Sequence, residues 1–139
     1  MNKVVSFGIF LMLVACQNQV TQEELPLLKG YWEIEKVTMA NGQTKEYNVN
    51  TTVDYIELKE LSGYRKKVYP KFDGTYDTSN DAEYFTIIMQ QDKFEIHYKS
   101  ELSEWTEVLK SLDENSFSVT NTENITYYYK RFEPINVNK

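Results

Sequence analysis

Cys16 is the single cysteine of this 139-residue chain, and it directly follows Leu13-Val14-Ala15. Once deprotonated, a thiol is a strong nucleophile, but here it has no second cysteine for a disulfide or for a zinc site of ordinary composition. The single histidine, His97, sits in an alternating run between Glu95 and Lys99, which places it on an outer strand face as a solvated residue. The acidic pairs Glu23-Glu24 and Asp113-Glu114 fall in connecting segments, where carboxylates lack the unequal, partly buried surroundings that acid–base catalysis needs. There is no Ser/His/Asp or Cys/His arrangement and no glycine-rich phosphate loop. The residue types therefore assign no catalytic role, call for no metal and no cofactor, and point away from an enzyme.

What precedes Cys16 gives the thiol a different chemistry. Lys3 is followed by an apolar stretch, residues 4–14, too short to span a bilayer but long enough for the core of a signal peptide. With Leu13-Val14-Ala15-Cys16, this resembles a bacterial lipoprotein signal, in which an aliphatic residue and a small residue lead into the cleavage-site cysteine. The resemblance implies removal of residues 1–15, a diacylglyceryl thioether on Cys16 and an acylated new N-terminus, palmitate being the usual kind of chain. Two or more acyl chains hold a protein stably where one would be marginal. Gln17-Asn18-Gln19 carries neither a retention aspartate nor an acidic export run, so the resemblance implies the cell envelope, at the periplasmic face of the outer membrane. Losing Lys3 makes the mature chain one unit more acidic than the −6 of the whole. A chain of that balance is a poor polyanion binder, so no nucleic-acid partner is expected and membrane contact should come from the lipid on Cys16.

The elements beyond the anchor follow from the hydrophobic pattern. Residues 16–28 read as the lipidated cysteine and a tether, with Thr21 and Glu24 spaced for a capping box and Pro26 set to stop any helix after about one turn. From Gly30 the pattern alternates: Trp32 and Ile34, then Ile56 and Leu58, then Phe94, Ile96 and Tyr98 are each flanked by polar residues. A period of two marks strands with one buried face. Further strands are predicted over residues 64–72, 84–90, 104–109, 116–122 and 125–132. They are joined by turn residues at Asn41-Gly42, Ser62-Gly63, Asp73-Gly74, Gln91-Asp92, 113–115 and 121–124. Eight short strands in series form an all-β antiparallel meander. Closing it into a barrel removes both edges, with a two-sheet sandwich as the competing arrangement. Residues 29–133 would make the barrel, residues 40–52 and 77–83 its rim loops, and residues 134–139 a C-terminal tail.

Gly30-Tyr31-Trp32 at the head of the first strand, with Arg131 near the end of the last, resembles the lipocalins. In that family a Gly-x-Trp opens the barrel and a last-strand arginine packs on the tryptophan to close its base. The whole domain resembles lipocalin-like lipoproteins of the Bacteroidetes. It lacks the family's Thr-Asp-Tyr, having Asp113-Glu114-Asn115 there, and it lacks the usual disulfide.

Strand parity also fills the interior with phenols. If Thr126, Tyr128 and Lys130 face out, Tyr127, Tyr129 and Arg131 face in. The same argument places Tyr98 inside and, along a less regular run, Tyr64 and Lys66. Arg65, Lys66, Lys67 and Lys71 form the one basic cluster, which reads as a charged strand face. Several inward tyrosines mean either a hydrogen-bonded network filling the barrel or a cavity with polar handles. The cavity implies a lipid-anchored binding protein for a small, partly apolar ligand. The filled barrel implies a non-enzymatic interaction module, an inhibitor or accessory subunit with an envelope protein as partner, acting through its loops.

Overall fold

The computed structural model describes residues 19–134, so Cys16, the lipobox and the tail after Pro134 lie outside the described residues. Ten strands follow a 3-10 helix over Gln22–Leu28: β1 Gly30–Thr38, β2 Thr44–Glu46, β3 Val53–Lys59, β4 Ser62–Pro70, β5 Tyr76–Thr78, β6 Glu83–Gln90, β7 Lys93–Lys99, β8 Glu104–Leu112, β9 Ser116–Asn121 and β10 Thr126–Arg131. Eight of them run in the order β1-β3-β4-β6-β7-β8-β9-β10, all antiparallel, and β10 pairs back onto β1 from Trp32↔Arg131 to Thr38↔Thr126. The meander is thus a closed eight-stranded barrel and not a sandwich. The two short strands are flaps: β2 pairs with the end of β1 inside the first expected rim loop, and β5 folds back on β4, overlapping the start of the second.

Short turns set the register. Gln91 and Asp92 both adopt positive φ, the conformation of a two-residue hairpin whose twist matches its strands. Between β3 and β4 the turn is Glu60-Leu61, two residues earlier than the Ser62-Gly63 expected from composition. Gly63 is a strand residue, where a Cβ would meet the Glu57 carbonyl oxygen at 1.9 Å. Irregularities in β1 between Ile34 and Lys36 and in β8 between Leu109 and Ser111 shift the pairing locally and help the sheet to curl.

One end of the barrel is packed solid. The helix meets the first expectation for its start, Glu24 accepting the Thr21 backbone N–H at 3.1 Å and its hydroxyl at 2.8 Å. It differs in running through Pro26, as a 3-10 helix and not an α-helix, with Lys29 N–H bonded to the Pro26 carbonyl. Leu25 and Leu28 are thereby driven into the barrel base against Trp32, Leu58, Phe94, Leu109, Leu112 and Phe117, all buried. Phe117 meets the Trp32 ring edge-on at 4.7 Å. The opposite end carries residues 39–52 with β2, residues 71–82 with β5, Ser100–Ser103 and the turn after Asn121.

Candidate functional site

At the packed end, Trp32 is fully buried and donates its indole N–H to the Leu28 carbonyl at 2.8 Å. The Arg131 guanidinium lies 3.7 Å from the Trp32 ring centre, within cation–π range. It donates to three carbonyls: Lys29 at 2.7 Å, Leu27 at 2.9 Å and Glu114 at 3.0 Å. One planar cation thus terminates the helix, the β8–β9 turn and the barrel seam together. Gly30 is the residue that permits this, because it has φ +119° and an added Cβ would sit 2.7 Å from the Arg131 Nη1. The end is sealed.

The open end holds a recess of about 450 Å3, lined chiefly by Arg65, Lys67, Trp105, Glu107, Tyr127 and Tyr129. Its floor is built on Arg65, which is 8% exposed. Arg65 donates to Asp54 Oδ2 at 2.7 Å, to the Tyr129 hydroxyl at 2.6 Å and, more weakly, to the Tyr98 hydroxyl at 3.5 Å. Lys67 reaches the other Asp54 oxygen at 2.5 Å from the rim. Tyr98 stacks flat on Trp105 at 4.9 Å, and Tyr129 stacks on Phe117 at 4.7 Å, which links the polar floor to the apolar base. Tyr127 is half-buried along the same wall.

The electrostatics follow from burial and pairing. Burial is the largest influence on Asp54 and pushes its carboxyl up, but Arg65 and Lys67 together outweigh it and hold the group below its ordinary range. Burial likewise disfavours the Arg65 cation, yet the facing Tyr129, Asp54, Tyr98 and Glu107 more than restore it. Burial raises both the Tyr98 and the Tyr129 phenols, with Arg65 opposing, so both stay protonated. Glu107 is different. Burial pushes its carboxyl up against the pull of Arg65, Glu83 and Asp54 add to the rise, and its Oε2 is shut from water with no hydrogen-bond partner among the described residues.

The expected site residues are therefore divided. Tyr98 and Tyr129 meet at Arg65 inside the barrel, and Tyr127 joins them at the recess wall. Tyr64 and Lys66 do not: the register Ile56↔Arg65 and Asp54↔Lys67 turns Arg65 and Lys67 inward and puts Tyr64 and Lys66 on the outer face. There Tyr64 packs between Tyr55 and Tyr84, and Lys66 lies over the Tyr64 ring. The parity was misread because the inward face of β4 carries charges, which the buried Asp54 compensates. His97 does lie on the outer face, 2.9 Å from Glu95. Arg65, Lys67, Asp54, Trp105 and Glu107 were missed, although parity could have found the last three. Counting back by twos from Leu58 and Ile56 puts Asp54 inside, and from Leu109 puts Glu107 and Trp105 inside.

No protein-family model matches the chain, and no curated protein matches it. Among solved structures, a lipocalin-like protein from Bacteroides uniformis aligns with a TM-score of 0.48 and 13% identity, over 76% of this chain and 99% of that one. A redesigned β-barrel aligns with a TM-score of 0.44 and 17% identity, over 79% of this chain and 96% of that one. The fold assignment here rests on the strand pairing of this chain itself.

Proposed function

We propose that this protein is a lipid-anchored binding protein of the cell envelope, holding a small, partly apolar molecule in the open end of its barrel. The observation that carries the reading is the recess itself: about 450 Å3, within the range of small-molecule sites, lined by Trp105 and Tyr127 and floored by buried charged groups. A barrel needed only as a rigid support would be filled at both ends, as this one is around Trp32. The reading is a binder and not a catalyst, because the polar groups of the floor are engaged with one another. The anchor is the lipid on Cys16, with the acidic domain contributing no attraction to anionic headgroups.

Native mass spectrometry of the protein purified from its own host, followed by extraction and a thermal-shift comparison, tests the binding. A retained small molecule whose addition raises the melting temperature supports it, as linkage requires. Tyr127→Phe keeps the ring and removes one hydroxyl, so it should weaken retention while leaving the fold intact. Loss of nothing on Tyr127→Phe and on Trp105→Ala would move the site elsewhere.

A second reading, the interaction module, has its own observation on the outer wall. Tyr31 stacks on Tyr76 at 4.5 Å and packs on Tyr55 at 4.9 Å, and the row continues through Tyr64 to Tyr84, which is 63% exposed. A stripe of aromatic rings across neighbouring strands suits a protein partner in the envelope. Co-purification of a partner that is lost on Tyr84→Ala and Tyr64→Ala, with no small molecule in the barrel, would favour it.

A further inference from the structure

The charge balance of the recess bears on what kind of molecule enters it, an inference that rests on the binding reading above. Two bases and three acids line the space: Arg65 and Lys67 against Glu83, Glu107 and Glu123. Both bases are already answered by Asp54 beneath them, Arg65 at 2.7 Å and Lys67 at 2.5 Å. Arg65 is further occupied by the two phenols, which leaves the half-exposed Lys67 ammonium as the one base of the recess with donors to spare. Glu107 is in the opposite position. It stands on the wall between Trp105 and Leu109 in the inward series of β8, and its Oε2 finds no donor among the described residues. A buried carboxyl oxygen without a donor is a costly arrangement, and turning the carboxylate into the recess to meet a ligand's donor relieves it.

We propose that the recess takes a small organic amine in its cationic form, the ammonium hydrogen-bonded to the Glu107 carboxylate and the apolar body of the molecule set against Trp105 and Tyr127. Glu83 and Glu123 at the rim add attraction along the way in. An anionic ligand would find only the Lys67 ammonium, already shared with Asp54, set against three carboxylates, and a neutral one would leave the excess of negative charge unanswered.

Three probes with one body and different heads separate these cases: phenethylamine, 2-phenylethanol and 3-phenylpropionate, titrated into the mature chain by calorimetry and by amide NMR shifts. The expected order is amine, then alcohol, then acid, with the amine bound about tenfold or more tighter than the acid, the worth of one charge-assisted hydrogen bond. Glu107→Gln should bring the amine down to the level of the alcohol while leaving the alcohol unchanged, and Trp105→Ala should weaken all three. Equal binding of the three, or tightest binding of the acid, overturns the inference and leaves the binding reading standing. If none of the three binds at millimolar concentration and protein from its host carries no small molecule, the binding reading itself fails. The charge order is read on the unaltered protein, so an unfolded variant does not decide the outcome.

Discussion

Arg65 is the residue on which the polar floor depends, and its replacement by methionine should be among the most damaging single changes in the chain. The Arg65 side chain is 9% exposed and that of its partner Asp54 5% exposed, so Arg65→Met leaves a carboxylate inside the barrel with only the rim ammonium of Lys67 to answer it. Removing one member of a buried ion pair costs about 3–5 kcal/mol. The surviving Lys67 contact and the access of water from the recess place the expected loss at the lower end, about 3 kcal/mol. Asp54→Leu should cost about as much, since it strands the guanidinium between two phenols. The double variant is the informative one. With both charges gone and residues of similar volume in place, it should lie within about 1 kcal/mol of the unaltered protein, so the two losses are strongly non-additive. Urea denaturation followed by far-UV circular dichroism gives all three values. Acid supplies an independent check with a definite sign. In the unaltered protein the Asp54 pKa lies below its unfolded value of 3.8, so its stabilisation is full above 3.8 and is lost as the pH falls through the folded value. In Arg65→Met burial dominates and raises that pKa, so the variant is penalised as the pH rises. The gap between the two proteins should therefore narrow from pH 7 towards pH 4. Single losses under about 1 kcal/mol, or a double variant equal to their sum, would refute the account of the floor as one coupled unit.

Other outcomes follow from the same geometry. Arg131→Lys keeps the charge but loses the planar fork that reaches three carbonyls and covers Trp32, and should lower stability by about 2 kcal/mol in the same urea assay. Glu107→Gln should stabilise the protein by about 1 kcal/mol near neutrality, because it removes an unsatisfied buried charge. Since the folded pKa of Glu107 is raised, the stability advantage of its protonated form is present below the unfolded value of 4.5 and fades as the pH rises through the folded value; thermal melts should show the gain from Glu107→Gln shrinking on acidification. Cys16→Ser should move the protein from the membrane pellet to the soluble fraction, and its persistence in the pellet after a salt wash would contradict anchoring by lipid alone.

How far the sequence could be read depended on which face of each strand carried the apolar residues. Phe94, Ile96 and Tyr98 alternate with charged neighbours and their strand was legible, as was the closure implied by Trp32 near one end of the chain and Arg131 near the other. Eight principal strands were expected and eight close the barrel. The site was far less legible. Hydrophobic periodicity assumes that charges face water, and β3 and β4 violate that assumption together, Asp54 facing in only because Arg65 and Lys67 do. Neither strand alone reveals the exchange, since each side's burial is tolerable only when the other is known to be opposite it. The outer face of β4 misled in the complementary direction: Tyr64 was expected inside, yet it packs beside Tyr55 on the outside of the wall.

The two ends of the barrel consequently answer to different physics. At the base, Leu25, Leu28, Trp32 and Phe117 exclude water by close packing, and Arg131 serves to fasten backbone carbonyls. At the mouth, a packed apolar plug would have served stability better than a buried Arg65–Asp54 pair and an unpartnered Glu107, because such groups contribute little net stability and the last of them costs some. The link between the ends is Tyr129, whose ring stacks on Phe117 in the base while its hydroxyl accepts from Arg65 in the floor. Tyr129→Phe should therefore leave the stacking and the melting temperature of the base largely unchanged, yet free one guanidinium donor and loosen the recess floor. Faster amide exchange at β4 and β10 near the mouth, without faster exchange at Trp32, is the signature expected.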